Sequence, residues 1–253
     1  MRLDVFLHRS GKFDSRTKAA EAIDKGFVLL NGKKAKAGAE ANENSDIRIL
    51  EKPRYVSNGG YKLERALDAF AFSADGKIFA DIGASTGGFT DALLQRGAAK
   101  VFAVDVGEKQ LHPAIAADPR VIVMDHTNAR NLTKESFPCE LDGIIVDCSF
   151  ISLKLILPAI KVLCGNTTEI IALIKPQFEC EEKISFKNGI VKDLKIRAKI
   201  VKSIYEFCIA QGFHVTGFTN APLIEGKNVE YLIRLTLQNA KGLGEQEVLN
   251  ALI

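Results

Sequence analysis

From residue 78 onward, short apolar runs alternate with segments whose apolar positions recur every three or four residues. The runs at 78–83, 101–106, 121–125, 143–148, 169–175, 213–219 and 230–237 predict strands. Helices are predicted over 88–97, 152–163 and 193–211. Ahead of the first run, "GGYKLERALDAFAF" carries a helical stripe of Leu63, Ala66, Leu67 and Phe70. Strands alternating with helices predict a mostly parallel sheet covered on both faces. The last two runs have no helical pattern between them, which predicts a closing antiparallel hairpin.

The first 50 residues follow another pattern. Two short helices are predicted over 3–11 and 15–25, the second capped by Ser15 and ended by Gly26. Its apolar positions are Ala19, Ala20 and Ile23. Asn31-Gly32, between two extended runs, is a strong hairpin signal because both turn positions require positive φ. A third strand, 46–50, follows a polar loop. So short a stretch is small for an independent core and reads as an appended α+β module. "EKPRYVSN" (51–58) resembles a linker. The expected organisation is a small domain at 1–52, a linker at 53–59 and an α/β domain at 60–253.

Composition adds little to that picture except in how charge is distributed. The chain of 253 residues is 47% hydrophobic, with net charge +3. Residues 1–60 hold 12 Lys+Arg against 8 Asp+Glu, so the positive excess sits in the small module and suggests a polyanionic partner. Arg2, Arg9, Lys12, Arg16, Lys18, Lys33, Lys34 and Lys36 are candidate phosphate contacts. Five cysteines without a C-x-x-C pair read as reduced, buried thiols, and four scattered histidines predict no metal site. No apolar run reaches the ~20 residues that span a bilayer. No signal peptide is expected, so the expected location is the cytoplasm, with no membrane partner.

The candidate chemistry begins at Asp81-Ile82-Gly83-Ala84-Ser85-Thr86-Gly87-Gly88-Phe89, a glycine turn between a strand and a helix. It is neither the dinucleotide fingerprint nor a phosphate loop, and it lacks a lysine for phosphate. The following strands end at Asp105, Asp125 and Asp147. Asp105 is placed for ribose hydroxyls and Asp125 for an adenine amino group. Four acids at successive strand ends suit a cationic nucleoside, which S-adenosylmethionine is and NAD is not. The alternative is that these aspartates cap the following helices.

Lys175 ends a very apolar strand, and Asp147 ends a neighbouring one. Lys62 lies on the helix before the sheet, and Glu230 at the start of the last strand. The ordered set Lys62, Asp147, Lys175 and Glu230 resembles the K-D-K-E tetrad of FtsJ-like RNA ribose 2′-O-methyltransferases. "YVSNGGYKLERAL", "DIGASTGGFTDALL", "DCSFISL", "IKPQFE" and "NVEYLI" resemble the TlyA (hemolysin A-like) branch. "RLDVFLHRSGKFDSRTKAAEAIDKGFVLLNGKKAKAG" is similar to the RNA-binding module of ribosomal protein S-four. One departure is Lys187-Asn188-Gly189, where relatives carry a glycine pair.

The resemblance implies a Rossmann-like class I methyltransferase fold with a seven-stranded, mostly parallel sheet. It also implies S-adenosylmethionine as donor and the cytidine 2′-oxygen of ribosomal RNA, free or in a ribosomal subunit, as acceptor. Large-subunit RNA is the favoured substrate. Lys175 would stabilise the developing alkoxide or take its proton; both roles stay open. Competing expectations are a non-catalytic ribosome-assembly factor, a membrane-active hemolysin and a base methyltransferase. Cys148 is expected to be a buried small residue rather than a nucleophile.

Overall fold

The computed structural model describes residues 1–13, 15–50, 54–180, 189–224 and 226–252. Residues 51–53, at the expected domain boundary, and Lys187-Asn188 of the departing loop lie outside these. The chain forms two compact units, Met1–Arg54 and Tyr55–Ile253.

In the first unit, helices α1 (Leu3–Arg9) and α2 (Arg16–Asp24) accompany an antiparallel sheet of order β2-β1-β3. Its strands are β1 (Val28–Leu30), β2 (Lys33–Lys34) and β3 (Ile47–Ile49). Asn31 and Gly32 sit at φ 51° and 75°, the two left-handed residues that a tight β1–β2 turn needs. Ser15 Oγ accepts from Lys18 N–H at 3.2 Å and caps α2. Leu3, Leu7, Ala19, Ile23 and Val28 form the core, while Ala20 of the expected stripe is only half-buried. Helix α1 stops at Arg9, two residues early, because the chain turns through Gly11 at φ 70°.

The second unit holds seven strands: β4 (Ile78–Ile82), β5 (Lys100–Val104), β6 (Val121–Met124), β7 (Gly143–Val146), β8 (Glu169–Ile174), β9 (His214–Asn220) and β10 (Tyr231–Thr236). Their order is β6-β5-β4-β7-β8-β10-β9. The first five are parallel; β10 pairs antiparallel with both β8 and β9. This is the expected closing hairpin, with its second strand inserted toward the sheet centre.

Helices α3 (Asn58–Ala69) and α4 (Gly88–Gln95) pack on one face through Leu63, Leu67, Phe89 and Leu93. On the other face, α6 (Leu153–Leu163) and α8 (Leu194–Ala210) bury Ile156, Leu157, Ile160, Val201 and Ile204. Three short helices were not foreseen: α5 (Pro113–Ala116), α7 (Pro176–Glu179) and α9 (Glu245–Asn250). They are too short for a helical period to emerge in the sequence. Tyr55 and Ser57, inside the expected linker, belong to the second unit. Tyr55 is 2% exposed within the second core, and Ser57 already caps α3.

Candidate active site

The turn from β4 into α4 is held by the neighbouring strand. Gly83 N–H and Ala84 N–H both donate to Val104 O, at 2.9 and 3.1 Å. Gly83 lies at φ 84°, and a Cβ there would stand 2.8 Å from Asp147 O, so only glycine fits. Ser85 N–H donates to Asp105 Oδ2 at 2.8 Å, fixing the loop against the end of β5. At Gly88, α4 meets the start of α3 almost backbone to backbone. A Cβ would lie 2.1 Å from Ser57 Oγ and 3.0 Å from Gly60 N. That contact brings the first turn of α3, and with it Lys62, beside the glycine loop.

Three of the four tetrad residues share one cavity of about 150 Å³, lined by Lys62, Asp147 and Lys175 together with the loop residues Gly83–Thr86, Gly88 and Phe89. Glu230 joins through Lys62, whose Nζ donates to its Oε2 at 2.5 Å. Lys175 Nζ meets Asp147 Oδ1 at 2.5 Å and donates to Ser149 Oγ at 2.8 Å. The site thus holds two ammonium–carboxylate pairs. Burial pushes the Asp147 carboxyl up, and the Lys175 and Lys62 ammoniums oppose that rise. Gln177 Nε2 also faces Glu230 Oε1, at 3.4 Å.

A second cavity, about 210 Å³, adjoins the first. Asp105, Thr127, Asn128, Cys148 and Ser149 line it, and Gly83 and Ser149 belong to both cavities. Asp105 accepts from Ser85 N–H and Gly107 N–H, which leaves lone pairs for ribose hydroxyls. Two other acids stand differently from expectation. Asp81 is inside β4, wholly buried, and lines neither cavity; its Oδ2 accepts from Thr90 Oγ1 at 2.6 Å, and its Oδ1 has no partner. Burial raises its pKa to about 7. Asp125 follows β6 and also lines neither cavity; its Oδ2 is engaged by Lys109 N–H at 2.9 Å. Gly87 supplies a left-handed N-cap to α4 at φ 87° rather than a cavity wall.

Burial raises the Cys148 thiol to about 12, so it is an un-ionised small side chain. Among the described residues no His, Cys, Asp and Glu cluster could hold a metal ion. Ser57, Gly59, Asn128 and Ser149 were missed in the sequence. The doubled glycines at 59–60 and 87–88 were the available signal for the close α3–α4 contact.

In the first unit, all eight candidate basic residues are exposed. Arg2 and Arg16 are not free charges, however. Both pair with the buried Asp4, at 3.1 and 2.9 Å, and hold its carboxyl well below the usual carboxylate range.

These features recur in known proteins. Residues 55–236 match the FtsJ-like methyltransferase family, and residues 1–47 match the S4 domain. Hemolysin A of Brachyspira hyodysenteriae is 42% identical over 92% of this chain and 98% of its own length. The 16S/23S rRNA (cytidine-2′-O)-methyltransferase TlyA of Mycobacterium tuberculosis is 39% identical over 96% of this chain and 92% of its own. A solved structure from Streptococcus thermophilus, described as a hemolysin, is 37% identical with a TM-score of 0.75, covering 100% of this chain and 95% of that one.

Proposed function

The chain belongs to the TlyA family, in which an FtsJ-like methyltransferase domain follows an S4 domain, and from that premise we propose that it is a cytoplasmic enzyme that moves a methyl group from S-adenosylmethionine to the 2′-oxygen of a cytidine in ribosomal RNA. The observation that carries this reading is the convergence of Lys62, Asp147 and Lys175 on the glycine-loop cavity, with Glu230 bonded to Lys62.

The residues present suit such a donor. Two cavities meet at a glycine that tolerates no side chain, Asp105 lines one and Asp147 the other, and no lysine in the loop waits for a phosphate. Asp105 would hold the ribose of the donor, and Gly83–Thr86 with Gly88 and Phe89 its amino-acid end. When bound, the donor supplies an electrophilic methyl group on a sulfonium. The acceptor hydroxyl is the weak partner, because little of it is ionised at neutral pH. Positioning oxygen and methyl carbon in line supplies roughly 7–11 kcal/mol of barrier reduction.

Lys175 faces the acceptor, held by Asp147 Oδ1 at 2.5 Å. Its Nζ would stabilise the alkoxide developing on the 2′-oxygen, or take the hydroxyl proton, as the C–O bond forms and the carbon–sulfur bond of the donor breaks. Lys62 and Glu230 hold the facing wall and keep the net charge of the four groups near zero. Phe150, 90% exposed at φ 63° with its ring 4.9 Å from Phe178, offers a flat surface on which the target base can stack. The exposed cations of the S4 unit would grip RNA by its backbone.

Mapping ribose methylation in 16S and 23S RNA, with and without this gene, tests the reading and identifies the subunit. Lys175→Ala should lower methyl transfer by about 10²–10⁴-fold while leaving titrated donor affinity intact. Near-normal turnover in that variant refutes the assignment. RNA binding without any methyl transfer would point to an assembly factor instead.

A further inference from the structure

An ammonium offers three N–H groups, and three oxygens surround that of Lys175: Asp147 Oδ1 in an ion pair at 2.5 Å, Ser149 Oγ in a short hydrogen bond at 2.8 Å and the main-chain O of Asp147 in a long one at 3.5 Å. A ribose 2′-oxygen that takes a short hydrogen bond from this ammonium must compete with one of them. Asp147 Oδ1 carries the counter-charge, and its removal would strand a buried cation. The Asp147 carbonyl belongs to the backbone that closes over Gly83. Ser149 is neutral, exposed and free to turn about one bond.

Its position points the same way. Ser149 and Gly83 are the two residues common to both cavities. A donor lying across them would present its reactive carbon at this junction. A hydroxyl bonded to Lys175 at the junction stands where the attacking hydroxyl must stand.

We propose that the Ser149 hydroxyl is a placeholder for the substrate's 2′-hydroxyl, bonded to Lys175 until RNA arrives and displaced by it. This rests on the methyltransferase reading above. The placeholder keeps the ammonium aimed and satisfied while the acceptor is absent. Displacement needs only rotation of the side chain, because its loop is pinned. Glu179 accepts from Ser152 Oγ at 2.5 Å and from Leu153 N–H at 2.8 Å, tying the segment after β7 to the one after β8.

The test compares the full-length wild type with Ser149→Ala and Ser149→Cys in steady-state methylation of ribosomal RNA, with donor affinity titrated separately. Removing a competing hydroxyl should lower KM for RNA by roughly ten- to a hundredfold, the worth of one hydrogen bond to a charged group. Cysteine, a weak acceptor, should move KM in the same direction by less. Unchanged donor affinity shows that either variant is folded. If KM is unchanged or higher, or kcat falls tenfold in both variants, Ser149 aims Lys175 or relays its proton, and the placeholder is overturned. If the wild type itself methylates no ribose, the enzymatic reading falls and the placeholder with it.

Discussion

Replacing Asp81 with asparagine should stabilise the protein, and more so as pH rises. Asp81 is wholly buried on β4, with one oxygen bonded to Thr90 and the other unpartnered. Burial lifts its pKa from 3.8 to about 7, and the nearby Asp147 and Asp105 add to the rise. In the unfolded chain the group ionises near the ordinary value; in the folded protein it holds its proton until about pH 7. Between those values the folded state binds more protons, so stability falls as pH rises. The difference of about three units, at ~1.4 kcal/mol each, sets a ceiling of ~4 kcal/mol above pH 7. From about pH 5 to about pH 8, Asp81→Asn should gain roughly 2–3 kcal/mol relative to wild type. Urea unfolding of both proteins at the two pH values measures it, and other titrations cancel in the comparison. A stability difference that stays flat with pH would refute the claim that Asp81 is protonated by burial.

Gly88→Ala should separate α3 from α4, because the added carbon would meet Ser57 Oγ and the Gly60 main chain. Overpacking of this kind costs about 1–3 kcal/mol, readable by thermal unfolding, and turnover should fall further than stability because Lys62 rides on α3. Glu179→Ala removes the cap of α6 at Leu153 N–H and Ser152. It should cost about 1–3 kcal/mol in denaturant unfolding, and kcat should drop with donor affinity held, since the loops bearing Asp147 and Lys175 lose their tie.

Much of this was legible in the sequence, for identifiable reasons. The central strands of the second unit are buried on both faces, so they appear as unbroken apolar runs such as 143–146 and 170–174. Asn31-Gly32 announced its hairpin because few other pairs accept two positive φ values. Lys175 was conspicuous as a lysine ending an apolar strand. Asp81 and Asp125 were harder to place. A carboxylate at the end of a run reads alike whether it faces a cavity, turns inward to a threonine or caps a main-chain N–H. Arg2 and Arg16 looked like free cations because nothing local shows that Asp4 lies under both.

By itself the sequence determined which segments become strands and helices, where the glycine turn falls and which residue types can do the chemistry. Those properties depend on local backbone freedom and on the period of burial. Only the tertiary structure decided that Lys62 and Glu230, 168 positions apart, would meet, that Ser149 would face Lys175, and that Asp81 would lose contact with water. Such outcomes depend on which strands become neighbours and how closely two helices approach. They arise from the packing of distant segments, which no local pattern encodes.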